Sequence, residues 1–271
     1  MLSSLLSFIL LAISYQATTS SALPSHRPLS SKPAAFFLAG DSTTATQSSG
    51  GGGWGDGFIN TTLHNGATGK NFGHNGATTV SFRAGGDWSW VLGNASASLP
   101  SYNPYVTIQF GHNDQKPAAN ISIAEFTANL VQFVKDVRNV PATPILVTSL
   151  SRRNYENTTD GPRIVENLAD VTAAAINAAQ QAGCTYINLN QASENYLNEI
   201  GPDDAYTYNL NPTDYTHLND EGSIVFGNLV AVLMNQNVTG VGEYVSPEEE
   251  IAEAISEGVY YFPEGCEGEF C

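Results

Sequence analysis

The feature that most constrains this chain is an alternation of two hydrophobic periods. Short apolar or β-branched runs stand at Ala35-Phe36-Phe37-Leu38-Ala39, Tyr105-Val106-Thr107-Ile108-Gln109-Phe110, Ile145-Leu146-Val147-Thr148-Ser149-Leu150 and Cys184-Thr185-Tyr186-Ile187-Asn188-Leu189. Between the later runs, apolar residues recur at three- and four-residue steps: Ile123, Phe126, Leu130, Phe133, Val134 and Val137, then Ile164, Leu168, Val171, Ala175, Ile176 and Ala179. Strand, helix, strand in this order predicts parallel strands joined by right-handed helical crossovers. A weaker strand near Lys70-Asn71-Phe72-Gly73 brings the expected sheet to about five parallel strands, with helices on both faces in an α/β, three-layer α/β/α sandwich. Open sheets of this kind place their sites beyond the carboxyl ends of the strands, so the residues that follow each run carry the functional information.

A chain of 271 residues with 42% hydrophobic residues can bury one sizeable core and is short for two enzyme domains. Its formal charge of −16 repels phosphate backbones and anionic membrane surfaces, so neither nucleic acid nor membrane is an expected partner, and a monomer is expected. Part of the acid is local: from Glu243 to Cys271 there are nine Glu and no Lys or Arg. Leu5 to Ile13 form an apolar run, followed by small and polar residues through Ala22, as in a secretory signal peptide cleaved after Ala17 or Ala22. Nine residues are too few to span a bilayer. The expected organisation is therefore a leader over 1–22, a Ser/Pro-rich lead-in over 23–33, one main domain over 34–240 and an acidic tail over 241–271, in which Ser246-Pro247-Glu248-Glu249 marks a capped helix start, with Pro at its first position, running to about Ser256.

Sequons at Asn60, Asn94, Asn120, Asn157 and Asn237 permit glycosylation, at about the frequency this composition supplies by chance. Of the three cysteines, Cys266 and Cys271 flank four residues and are expected to pair, while Cys184, inside an apolar run, is expected as a buried free thiol; the spacing fits no zinc motif. Gly50-Gly51-Gly52-Gly53 reads as a flexible loop, since it lacks the Lys-Ser/Thr ending of a phosphate loop.

Polar constellations follow the strands. After the first comes Gly40-Asp41-Ser42-Thr43-Thr44, where Ser42 stands at a turn leading to a helix start: it is a candidate nucleophile and equally a helix N-cap. After the weak strand, Gly76 can present its backbone N–H to a ligand, with Gly73 as a competitor, or simply make a turn. Gly111-His112-Asn113-Asp114 offers Asn113 as a neutral amide donor toward developing negative charge, and is also good turn sequence. Asp214-Tyr215-Thr216-His217 sets a carboxylate three residues before an imidazole, close enough for one to orient the other. A hydroxyl is a poor nucleophile without such a base, so Ser42, His217 and Asp214 together make a chemical unit that no one of them makes alone.

Gly40-Asp41-Ser42, Gly76, Gly111-x-Asn113-Asp114 and Asp214-x-x-His217 resemble, in order and spacing, the four sequence blocks of the SGNH (GDSL-type) hydrolases, from Phe36 to about Met234. Gly40-Asp41-Ser42-Thr43, Gly53-Trp54-Gly55, Gly111-His112-Asn113-Asp114 and Asp214-x-Thr216-His217-Leu218-Asn219 look like the fungal rhamnogalacturonan acetylesterases within that superfamily. The resemblance implies a flavodoxin-like fold and a secreted esterase that removes acetyl groups from pectin, with acetylated polysaccharide as its partner and no metal or cofactor. It further implies Ser42 as nucleophile, His217 as base, Asp214 as its orienter, and an oxyanion hole made of the Ser42 and Gly76 N–H groups and the Asn113 amide.

Lys116, Arg152, Arg153 and Arg163 are candidates for a cationic cleft rim or are solvated loop charges. Trp54, Trp88 and Trp90 can stack on sugars, although Trp88 and Trp90 lie beside a helical pattern and read better as packing. Competing functions are an esterase or lipase acting on another acylated sugar or a lipid, and a catalytically silent carbohydrate-binding protein. An α/β-hydrolase is disfavoured, because no Gly-x-Ser-x-Gly elbow surrounds a candidate serine.

Overall fold

A computed structural model describes residues 32–263. In chain order the elements are β1 (Ala34–Gly40), α1 (Gly55–Thr62), β2 (Thr68–Asn71), α2 (Thr79–Ala84), α3 (Asp87–Ser98), β3 (Asn103–Gln109), α4 (Ile123–Asn139), β4 (Thr143–Val147), β5 (Tyr155–Thr158), β6 (Gly161–Ile164), α5 (Ala169–Ala182), β7 (Thr185–Ile187), α6 (Leu189–Ala205), α7 (Asp220–Asn237) and α8 (Glu249–Glu257). Five parallel strands form one sheet in the order β2-β1-β3-β4-β7, the expected number and direction. The order reverses between β1 and β3, the kind of switch point where open α/β sheets bind ligands.

The strand period of two explains the layers. Phe36 and Leu38 of β1 join a core with Trp54, with Phe58 of α1, and with residues of α6, α7 and α8. Their neighbours Ala35, Phe37 and Ala39 point the other way, toward Phe82 of α2, Trp88 and Val91 of α3, and the apolar stripes of α4 and α5. Of the stripe predicted for α4, Phe126, Leu130, Phe133, Val134 and Val137 are buried, each stabilising the fold by roughly 1.5–3 kcal/mol, whereas Ile123, the first residue of the helix, is 44% exposed because the packed face starts one turn later. Ser122 caps this helix through a bond from the Glu125 N–H.

Several expectations need correction. Ile164 does not begin the helical stripe of α5: it ends β6, half of an antiparallel β5–β6 hairpin whose residues alternate too weakly to signal strands. The Gly50–Gly53 run is not a flexible loop, because Gly51, Gly52 and Gly53 are buried and a Cβ on Gly53 would sit 1.9 Å from the Thr43 carbonyl oxygen. Glycine is required there for close backbone approach. Helix α8 starts at Glu249 with Glu248 at its N-cap, and Pro247 lies before it, because the Glu248 N–H is already given to Asn228 Oδ1 of α7 at 2.7 Å. This segment packs on the core through Val241, Val245 and Ile251. Cys184 is a free thiol but only half-buried, its Sγ 3.3 Å from the Pro144 carbonyl; Cys266 and Cys271 lie outside the described residues, as does the apolar leader. Trp54 and Trp88 are buried, whereas Trp90 is 69% exposed and packs little. Among the described residues no helix is long and apolar enough to cross a membrane.

Candidate active site

The chain leaves β1 at Gly40 and folds into a tight turn, closed by the Thr44 and Ala45 N–H groups on the Asp41 carbonyl at 3.1 Å each. Ser42 therefore caps no helix, since the next helix, α1, begins at Gly55. The turn is tied down by buried polar side chains. Thr43 gives its N–H and its Oγ1 hydroxyl to Asp41 Oδ1, at 2.9 and 2.8 Å. Gln109, at the end of β3, donates from Nε2 to Thr43 Oγ1 at 2.6 Å and accepts at Oε1 from Thr44 Oγ1 and Trp54 Nε1, at 2.8 and 2.6 Å. One buried amide thus fixes three partners around the nucleophile turn. Burial, opposed by the two Thr43 bonds, pushes the Asp41 carboxyl up to about 6, and its Oδ2 has no partner.

Across the cleft, Asp214, Tyr215, Thr216 and His217 lie in a loop before α7. Asp214 Oδ1 accepts the Thr216 and His217 N–H groups, at 3.0 and 2.9 Å, and Oδ2 lies 2.8 Å from His217 Nδ1. Because a carboxylate only accepts, Nδ1 carries the proton and Nε2 is left as the acceptor facing Ser42 Oγ, 2.8 Å away. Burial pushes the Asp214 carboxyl up, but the bonds from the His217 N–H, the His217 ring and the Thr216 N–H outweigh it and hold it below the usual carboxylate range. The structure thus joins Ser42, His217 and Asp214 in one hydrogen-bonded chain.

The loop itself hangs on Arg153. This guanidinium is wholly buried, donates to the His217 carbonyl at 2.6 Å and to Asn209 Oδ1 at 2.5 Å, and is pulled down to about 10 by burial. It is a support under the imidazole, so Arg153 does not belong to a cationic rim. Arg163, exposed on the hairpin, binds the Asn198 carbonyl at 3.3 Å. Lys116 Nζ contacts Asn113 Oδ1 at 2.6 Å, and Arg152 Nη1 contacts Asn167 Oδ1 at 2.8 Å.

The remaining candidates sit at the ends of β2 and β3. Gly76 has a φ of +77° in a turn closed by the Ala77 N–H on the His74 carbonyl, and the His74 N–H ties this turn to Gly40 at the end of β1. The backbone of Gly73 is committed differently: its N–H goes to Asn71 Oδ1 at 2.9 Å, and a Cβ there would sit 2.4 Å from the Ala45 nitrogen. Asn113 Nδ2 gives one hydrogen to the Ala77 carbonyl at 3.0 Å, which sets its amide beside the Gly76 turn, while Lys116 pins its oxygen. Among the described residues, no protein acceptor takes the Ser42 or Gly76 N–H or the second Nδ2 hydrogen. Asp114 instead holds the start of α2 through the Thr79 N–H and hydroxyl, and His112 is a buried neutral ring, its Nε2 donating to the Leu150 carbonyl at 2.9 Å and its pKa pulled down to about 3 by burial and Arg152.

Residue type alone does not announce the roles of Gln109, Arg153 and Asp41. The available signals were a polar residue in the inner half of a strand run and an Arg pair just past another. Among the described residues, no three His, Cys, Asp or Glu side chains are grouped as metal ligands.

Comparison with known proteins identifies the family. Residues 38–223 match the GDSL-like Lipase/Acylhydrolase family. RhgT of Bacillus subtilis (strain 168), a rhamnogalacturonan acetylesterase, is 29% identical over 215 residues, covering 74% of this chain and 89% of that protein. YesY of the same organism, a probable rhamnogalacturonan acetylesterase, is 28% identical over 204 residues, covering 72% and 89%. Among solved structures, the YXIM protein of Bacillus subtilis superposes with a TM-score of 0.64 at 22% identity, over 77% of this chain and 57% of that one. Axe2, an acetylxylan esterase of Geobacillus stearothermophilus, gives 0.55 at 16% identity over 78% and 95%, so both structures share the fold. The family match runs from β1 into α7 and so takes in every strand end that the hydrogen-bonded chain draws on, which makes this protein a member of the GDSL-like lipase/acylhydrolase family and a carboxylic ester hydrolase of SGNH type.

Proposed function

We propose that this protein is a secreted acetylesterase that removes acetyl groups from acetylated plant cell-wall polysaccharide, with rhamnogalacturonan as its substrate. The observation that carries the chemistry is the unbroken chain from Ser42 Oγ through His217 to Asp214, with both links at 2.8 Å. The two Bacillus relatives, which share more than a quarter of their residues with this chain and bear rhamnogalacturonan acetylesterase names, support the substrate. The apolar stretch from Leu5 to Ile13 supports export, with residues 34–240 as the catalytic part.

In this reading His217 Nε2 takes the Ser42 proton as Oγ attacks the acetyl carbonyl, and Asp214 holds the resulting imidazolium. The oxyanion receives the Ser42 and Gly76 N–H groups and the free Asn113 Nδ2 hydrogen, donors that need no reorganisation because their other atoms are already tied. His217 then protonates the departing sugar oxygen, and water activated by the same ring releases acetate from Ser42.

Acetate release tests the reading. Acetylated rhamnogalacturonan should be deacetylated with a higher kcat/KM than acetylated xylan or a long-chain ester, and a serine-directed phosphonate should label Ser42 alone. A preference for the long-chain ester would make the protein a lipase on the same machinery, and an unlabelled, inactive Ser42 would make it a binding protein. N-terminal sequencing of protein from culture medium tests export, with a start at residue 18 or 23 expected.

A further inference from the structure

The cations of this acidic protein are unevenly placed. Of nine Lys and Arg among residues 32–263, three follow the ends of β3 and β4 beside the triad: Lys116, Arg152 and Arg153. Arg153 is spent inside the protein on the His217 carbonyl and Asn209. Lys116 and Arg152 are different. Each touches only a neutral amide, Asn113 Oδ1 and Asn167 Oδ1 respectively, and among the described residues neither is in an ion pair with a carboxylate. Lys70, Arg138 and Arg163 likewise contact neutral groups, so what sets Lys116 and Arg152 apart is their place after the ends of β3 and β4, on the edge of the sheet that carries Ser42.

The two side chains are also linked through one buried ring, His112, on which both act. Lys116 is held on Asn113, whose chain neighbour His112 donates to the Leu150 carbonyl, two residues before Arg152. The field of each reaches the same His112 ring, and Arg152 also acts on Asp41 beside Ser42. Lys116 is exposed and Arg152 half-buried, and each follows the carboxyl end of a parallel strand, the edge of the sheet where Ser42 follows β1. A half-buried guanidinium whose position is set by an amide is suited to a carboxylate, because its planar fork loses little freedom on binding and its charge is not already neutralised.

We propose that Lys116 and Arg152 form an anion subsite that holds the carboxylate of an acidic sugar unit next to the acetylated one. The proposal rests on the acetylesterase reading for its place in the reaction, but not for the binding itself. It also resolves a conflict: the net negative charge disfavours approach of a polyanion, yet that field is screened beyond about 8 Å at physiological salt, whereas a direct contact is not.

Binding of a galacturonate oligosaccharide without acetyl groups, measured by calorimetry, tests the subsite independently of catalysis. The wild-type protein should bind the free acid about tenfold more tightly than its methyl ester, the magnitude of one charge-assisted contact. Arg152→Gln and Lys116→Gln should each bring the two affinities close together, and Arg152→Glu should invert them, with unchanged thermal midpoints as the check on folding. Equal wild-type affinities for acid and ester, or a preference untouched by Arg152→Gln, would overturn the subsite. In acetate release, the same variants should lower the ratio of kcat/KM for the acidic over the methyl-esterified acetylated oligosaccharide by about tenfold. If acid-selective binding persists but neither substrate is deacetylated, the acetylesterase reading fails and the subsite stands.

Discussion

The two halves of the candidate active site are built on opposite plans. The Ser42 half is a backbone turn packed without slack: Gly40 lies against Thr44, Gly53 against the Thr43 carbonyl, and Gln109 bonds to three neighbours inside the core. The His217 half is a loop with its side chains only partly covered, kept in place by the Asp214 carboxylate above and the Arg153 guanidinium below. Between them runs the glycine segment, which gives the Gly53 N–H to Ala45 on one side and the Gly52 carbonyl to the Leu218 N–H on the other, both at 2.8 Å. A nucleophile must not move, and close backbone packing gives that at the cost of accepting no side chain. A base must pass protons in two directions, and a loop held by polar contacts lets the ring adjust.

The comparison is tested first at its extremes. Ser42→Ala should lower kcat on an acetyl ester by about 10⁶, while Asp214→Ala should lower it only by about 10⁴, because the imidazole survives without its orienter. Equal losses would erase the difference between the halves. Asn113→Ala should reduce kcat by about 10² to 10³ with KM little changed, and an unaltered rate in a folded variant would remove that amide from the oxyanion site.

Stability variants sharpen the contrast. Gly53→Ala should cost about 3 kcal/mol in chemical denaturation, since the added methyl must displace backbone on the nucleophile turn. A cost near that of an ordinary surface change would mean that the segment can shift. Arg153→Met should cost about 1–3 kcal/mol, because it strips the His217 carbonyl and Asn209 of a buried donor, and it should depress kcat as well. If kcat holds, the loop does not need its support. Smallest is a pH effect at Asp41. Its carboxyl, raised to about 6 in the fold against an ordinary value of about 3.9, binds more protons folded than unfolded between those values, so it penalises the fold increasingly as pH rises. Removing the charge with Asp41→Asn should therefore shift relative stability in the variant's favour by about 1 kcal/mol between pH 5 and pH 7. Parallel stability curves for variant and wild type would show that the Asp41 carboxyl does not titrate there.

Legibility in the sequence followed the range of the interactions. Strands β1, β3 and β4 and helix α4 bury continuous or periodic apolar faces, so their composition announces them, whereas β7 is three residues long and buries only Ile187. The β5–β6 hairpin is largely exposed and has no such face, so nothing local separates Ile164 from the helical stripe that follows it. The glycine run is ambiguous in sequence because glycine is compatible both with mobility and with tight backbone contact, and only the neighbours distinguish them. The same holds for the buried Arg153 and the exposed Trp90: charge and ring size are properties of the residue, but exposure is a property of what packs around it.

By itself the sequence determined the alternation that makes a parallel sheet, and it set a serine, a glycine, an asparagine and an Asp-x-x-His at its strand ends, because these depend on residue type and local order. Only the tertiary structure decided that Ser42 and His217, 175 positions apart, come within 2.8 Å, and that a buried Gln109 and a buried Arg153 hold them there. The physical reason is that hydrogen bonds of this kind need positions accurate to a few tenths of an ångström, and such accuracy comes from the packing of the whole core, which no local pattern of residues records.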